Sequence, residues 1–296
     1  VKTSFSNSCF KLIGVTENLI DNIWKQRKNI KFKKFFMLSD KNAGQTFKNK
    51  INKLSKLLDK NNINLQFVSA PENIAWLLNL RGGDSEFTPM PNGYLTLDNK
   101  NNVYFFCNLK KITKKIRNNL KKIKIIDIKY INLFLNKIIN KKIQIDKNSC
   151  SIFYKNILNK HNKIIEIEDP IYLLKSIKNK TEIKNTIRTH VYDGAALTKF
   201  IFWIKSNFKK KKITEMGAQE KLLKIRKNNK TFKSLSFPTI SGSGPNGAII
   251  HYKANIKTNR VLKKGDLYLV DSGGQYSFGT TDVTRTISLD NDNERI

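Results

Sequence analysis

Two aspartates have the type and spacing that chemistry needs. Asp271 ends the apolar run 267–270, and Asp282 opens the next extended stretch eleven positions later. A carboxylate at the end of an apolar strand is costly to desolvate unless something pairs with it. Gly273 and Gly274 lie between the two acids and let the chain double back, so both carboxylates can face one point. Two carboxylates without a thiolate suit Mn(II), Mg(II) or another oxygen-seeking cation, with Zn(II) and Co(II) as further candidates. Each acid also has a plainer reading. Asp271 before Ser272-Gly273 makes a turn by bonding back to its own backbone. Asp282 caps the Thr280-Thr281 turn. Taken singly, each is more often structural; the pair at this spacing is not.

His251 is the third chemical group, one of three histidines. It follows the apolar residues 248–250. Its ordinary reading is a satisfied, half-buried imidazole; its functional one is hydrogen bonding or proton transfer beside a metal-activated nucleophile. His190 beside Asp193 reads as structural, and His161, in a Lys/Asn-rich stretch, as exposed. Arg285 reads as an ion-pair partner of a nearby carboxylate. The segment SGSGPNG (241–247) lacks the GK[ST] ending of a phosphate loop. It reads as a loop that lets backbone approach the site.

Strands and helices must hold these groups. Helical periodicity covers 17–27 and 50–61, and 71–78 opens on Pro71, a residue suited to a first helical turn. Extended stretches cover 65–70, 93–97, 103–107, 124–128 and 143–146, with helices between. This alternation predicts an α/β domain over residues 1–168. Asp169-Pro170 marks the boundary, since Asp caps and Pro is preorganised for the next position. Helices follow at about 181–208 and 214–227. Strands are expected at 234–240, 248–251, 266–271 and 283–289. The order helix, helix, antiparallel strands predicts an α+β region over 169–296.

Composition narrows the function. The 296 residues carry 56 Lys plus Arg against 23 Asp plus Glu, a formal charge of +33. That balance suggests nucleic acid. The Lys residues are spread along the whole chain, though, and travel with Asn and Ile, as an A/T-rich coding bias would produce. Aromatics are not interleaved with the basic residues as a strand-binding platform requires. No specific nucleic-acid partner is therefore expected. No apolar run reaches the length of a membrane span, so no membrane partner is expected. The first ten residues do not read as a secretory signal, and the chain opens on Val rather than Met. Cys9, Cys107 and Cys150 are scattered and read as reduced thiols of a cytoplasmic protein.

Four stretches together resemble one family. They are NIAWLLNLRGGD (73–84), DPIYLLKSIKNKTEIKNTIRTHVYDGAALTKFIFWI (169–204), SFPTISGSGPNGAIIHY (236–252) and DSGGQYSFGTTDVTRT (271–286). They are similar to the Xaa-Pro aminopeptidases, the aminopeptidase P branch of the pita-bread metallopeptidases, in their three-domain form. The resemblance implies a middle α/β domain of creatinase/aminopeptidase P type, followed by the first part of a pita-bread catalytic domain. It implies two divalent ions, Mn(II) first, with Asp282 bridging both and Asp271 binding one. His251 then assists the tetrahedral intermediate, and Arg81 helps position substrate, although a structural ion pair is its plainer role. The substrate is a peptide with proline second, and the family often forms homodimers.

The family also needs a His and two Glu residues beyond Asp282, and Asp290, Asp292 and Glu294 follow too closely to supply them. The expectation is a fragment lacking the family's first domain and last three ligands, inactive and poorly soluble alone. Two rivals share the fold. One is a prolidase-type dipeptidase, which a tripeptide substrate separates. The other is a non-catalytic relative that binds peptides, a class that tends to lose its metal carboxylates.

Overall fold

The computed structural model describes residues 9, 10, 13, 15, 17–25 and 32–289. The readings made on residues 1–8, on 26–27 of the first helix and on Asp290, Asp292 and Glu294 fall outside them. The chain divides into two units, residues 1–32 and 33–296. In the first, α1 (Leu19–Ile23) is capped by Asn18, whose side chain accepts from the Ile20 amide. It is shorter than the periodicity suggested, and Leu19, Ile20, Ile23 and Trp24 are exposed.

The second unit opens with β1 (Phe36–Met37), α2 (Asp40–Ala43), α3 (Phe47–Lys60), β2 (Leu65–Val68), α4 (Pro71–Leu77), β3 (Leu80–Arg81), β4 (Tyr94–Asp98) and β5 (Val103–Cys107). There follow α5 (Lys114–Asn119), β6 (Lys124–Asp127), α6 (Ile131–Asn136), β7 (Lys142–Asp146), α7 (Ile152–Asn159) and β8 (Lys163–Ile167). A six-stranded sheet runs β6-β5-β4-β2-β7-β8. Only β4 is antiparallel to its neighbours. Successive side chains point to opposite faces and both faces are covered, so its central strands read as nearly continuous apolar runs. Val68, Leu95, Leu97, Phe105 and Cys107 face the α3–α4 side. Phe67, Phe106, Ile143 and Ile145 face the α6–α7 side.

Polar residues of the 73–84 stretch pin this layer together. Asn73 donates to the Asp169 carboxylate at 2.8 Å, and Gln66 donates to it at 2.6 Å. Asn79 donates to the Gln45 carbonyl at 2.8 Å. Asp84 pairs with Lys111. The stretch is thus first a structural module, since buried polar groups must be satisfied internally.

Lys50 of α3 is 1% exposed. It donates to the Trp76 carbonyl at 2.9 Å and to Asn79 Oδ1 at 2.7 Å, with its ammonium 4.3 Å from the Trp76 ring centre. Burial pulls its pKa down to about 8 from 10.5, against the opposing pull of Glu182 and Asp40. The folded state therefore binds fewer protons than the unfolded chain between those two values. Stability rises with pH across that window, and the burden is complete below its lower edge. The stability of the protein relative to its Lys50→Met variant is expected to climb by up to about 3 kcal/mol from pH 8 to 10.5. Urea melts across that range measure it, and a flat difference would contradict the assignment.

The remaining elements are α8 (Ile171–Ser176), α9 (Lys180–Asn207), α10 (Glu215–Lys227), β9 (Phe232–Leu235), β10 (Ile240–Ser243), β11 (Leu267–Ser272), β12 (Gly274–Tyr276), β13 (Gly279–Thr280) and β14 (Val283–Ser288). Helix α9 starts at a capping box between Asn179 and Glu182. Two antiparallel three-stranded sheets follow, β10-β11-β14 and β13-β12-β9. The first buries Tyr268, Val270 and Ile287 against Phe200, Ile204, Ala218 and Leu222 of α9 and α10. The chain is thus α/β and then α+β, as its pattern predicted. The expected single strand at 234–240 is instead two strands in different sheets, because Pro238 interrupts it. The expected strand at 248–251 is a turn following a short 3-10 helix.

Candidate functional site

Strand pairing brings the two acids to one face. In the β11–β14 ladder Asp271 lies opposite Thr284, and Leu269 opposite Thr286. Asp282, two residues before Thr284, falls on the same side of the alternation and diagonal to Asp271. Such diagonal neighbours are within reach of one another. The opposite side of these strands, with Tyr268, Val270 and Ile287, is the one covered by α9 and α10. The acids therefore sit on the face that these helices leave uncovered, where Asp282, Thr284 and Thr286 are exposed and Asp271 is half-buried.

Asp271 Oδ1 is buried yet has no hydrogen-bond partner. An orphaned carboxylate oxygen is a costly feature that calls for a cation or donor. An all-oxygen pair with this unmet acceptor fits a hard divalent ion. Among the described residues no group of three or more His, Cys, Asp or Glu converges on a metal position.

His251 stands on the loop between β10 and β11. Gly247 of this loop lies against Leu269 on the uncovered face. The imidazole is exposed rather than half-buried, and its backbone is left-handed, with φ 54°. Non-glycine residues hold that conformation at a cost, and such strain gathers at functional positions. A buried acid, Glu215 at the start of α10, holds the loop. It accepts from the Ser243 amide at 2.7 Å, the Tyr252 hydroxyl at 2.9 Å and the Arg260 amide at 2.9 Å. Burial pushes the Tyr252 phenol up, so it stays a donor.

Arg81 lies apart from the acids in the chain and serves backbone groups. Its Nη1 donates to the Ala75 carbonyl at 2.8 Å and the Leu80 carbonyl at 3.0 Å. Burial lowers its pKa, opposed by Glu182. Arg285 donates to the Thr284 carbonyl at 2.7 Å, so its hydrogen bond goes to backbone rather than to the carboxylate expected from sequence. His190 bonds the Thr186 carbonyl at 2.8 Å, a structural role as read.

A buried ion pair went unread in the sequence. Arg226 of α10 meets Asp193 of α9 through Nε at 2.8 Å and Nη2 at 2.9 Å. Asp193 also accepts from the Tyr276 hydroxyl at 2.7 Å and the Thr281 hydroxyl at 2.9 Å. Arg226 donates to Ser272 Oγ at 3.1 Å and the Gly273 carbonyl at 3.5 Å. A Cβ at Gly273 would collide with the Thr281 carbonyl, so the strand ends close only with glycine there. A signal for Asp193 did exist. It sits in the stripe Thr189, Asp193, Ala196, Leu197, Phe200, Ile204, where helical spacing demands burial.

The fold is that of a creatinase-type domain leading into a pita-bread metallopeptidase domain. The model of the Creatinase/Prolidase N-terminal domain matches residues 26–182, and that of Metallopeptidase family M24 matches residues 185–296. The chain belongs to the creatinase/prolidase family through the first of these and continues into the second. A probable Xaa-Pro aminopeptidase P of Laccaria bicolor is 36% identical over 287 residues, covering 93% of this chain and 44% of that protein. The Xaa-Pro aminopeptidase ApepP of Drosophila melanogaster is 35% identical over 295 residues, covering 97% of this chain and 48% of that protein. The crystal structure of X-prolyl aminopeptidase from Caenorhabditis elegans, described as a cytosolic enzyme with a di-nuclear active site, superposes with a TM-score of 0.87. It is 24% identical and covers 96% of this chain and 48% of that one. The chain spans about half the length of the relatives it matches.

Proposed function

We propose that the protein is a metal-dependent aminopeptidase that hydrolyses the bond between an N-terminal residue and a following proline. The observation that carries this reading is the pair Asp271 and Asp282 on one uncovered face, with Asp271 Oδ1 unpartnered. The Xaa-Pro aminopeptidase names of the relatives support it. In its layout, residues 1–168 form the middle domain and 169–296 the first part of the catalytic one, with buried Asp169 as the pin between them. A cytoplasmic location is part of the proposal, supported by the description of the worm enzyme. So is a homodimer.

Asp271 and Asp282 would hold two divalent ions, Mn(II) first, with Zn(II) or Co(II) as alternatives. When bound, the ions supply Lewis acidity toward water and toward the peptide carbonyl. His251, exposed on its loop, donates a hydrogen bond to the oxyanion that develops on the carbonyl before proline. Glu215 fixes the loop that presents it. Arg81 acts on substrate through structure. It fixes the Ala75 and Leu80 carbonyls just before the segment 82–93, whose Phe87 carbonyl accepts from Gln275 of β12 at 3.0 Å.

The test uses the natural protein at full length with Mn(II) and an Ala-Pro-Ala tripeptide. Release of Ala, abolished by a chelator, is expected. His251→Ala should lower kcat about 100-fold or more with metal content unchanged, as loss of an oxyanion donor does. Cleavage of Ala-Pro alone would favour the prolidase alternative. No metal-dependent hydrolysis of either peptide would remove the proposal.

A further inference from the structure

Four of the bonds made by the Asp193–Arg226 pair end in the short connection between the two candidate ligands, and two of them end beside the ligands themselves. Ser272, held by Arg226 Nη2, immediately follows Asp271. Thr281, held by Asp193 Oδ2, immediately precedes Asp282. The Tyr276 hydroxyl and the Gly273 carbonyl complete the clamp from within the turn. Thr281 Oγ1 also receives the Gly274 amide at 2.9 Å, which ties the two ends to each other. Both charged partners are fully buried, at 0% exposure.

Stability alone is a poor reason for this arrangement, because a buried ion pair is often matched or bettered by apolar residues of the same volume. What it provides is orientation. Side chains alternate along a strand, so a slip of one residue at either end turns a carboxylate away from the uncovered face. A planar guanidinium and a carboxylate with fixed bonds to both ends prevent that slip.

We propose that Asp193 and Arg226 are positioning residues for the metal site, setting the geometry of Asp271 and Asp282 through Ser272 and Thr281. This rests on the reading of the two aspartates as metal ligands. Outer partners of metal ligands commonly contribute 10–100-fold to metal affinity.

The experiment leaves the ion pair intact and cuts its links. Thr281→Val and Ser272→Ala are made in the natural full-length protein, with Thr281→Ser as the conservative variant. Mn(II) affinity is measured by calorimetry, and folding by near-UV circular dichroism and thermal melts without metal. Thr281→Val and Ser272→Ala are each expected to raise the Mn(II) Kd by about 10-fold or more. Thr281→Ser should bind as the parent does. A lowered melting temperature with an unchanged Kd in both variants would make the pair purely structural and overturn the proposal. If the parent takes up no Mn(II), the ligand assignment itself fails and takes the positioning role with it, an outcome distinct from the previous one.

Discussion

Asp193→Ala is expected to destabilise the fold by about 3–5 kcal/mol, the usual cost of leaving a buried charge without its partner. Arg226 would keep its guanidinium at 0% exposure with the bidentate acceptor gone, and Thr281 and Tyr276 would each lose an acceptor. The denaturation midpoint in urea measures this. The double variant Asp193→Leu with Arg226→Met should be milder than Asp193→Ala alone, because it removes the stranded charge together with its partner. A double variant as unstable as the single one would show that the polar bonds, rather than the stranded charge, dominate.

Asp271→Asn is expected to behave in the opposite way. It removes a charge whose Oδ1 is buried and unpartnered, so the metal-free protein should hold its stability or gain about 1 kcal/mol. Peptidase activity should fall by at least about 100-fold, beyond what losing an outer partner of a ligand costs. Asp282→Asn should abolish activity to a similar degree, with little change in stability because the side chain is exposed. Melts and tripeptide turnover on the same preparations separate the two effects. A residue that weakens the fold while serving function is the common signature of a site. If Asp271→Asn lowered stability and left turnover intact, Asp271 would be the plain turn residue that its sequence context also allowed.

Much of the frame was legible in the chain. Thr46, Asn179 and Thr214 cap their helices, and the apolar spacing after each cap predicted the helices that follow. The runs at 65–70, 93–97 and 103–107 announced central strands, because a sheet covered on both sides needs mostly apolar residues on both faces of its strands. Asp271, Asp282 and His251 were legible as chemical types at suggestive spacing. Local rules failed at 248–251, where β-branched residues predicted a strand. There the bonds from Glu215, more than thirty positions away, hold the loop in a turn and leave His251 exposed in a left-handed conformation.

The sequence by itself determined which segments become helix or strand and which residue types are available for a metal, since capping, periodicity and turn chemistry act over a few positions. Only the tertiary structure decided that Asp271 and Asp282 share an uncovered face and that Asp193 and Arg226 stand behind them. Those relations depend on strand register and on two helices packing side by side. Such contacts join residues far apart in the chain, and no local propensity encodes which distant partner a buried charge will find.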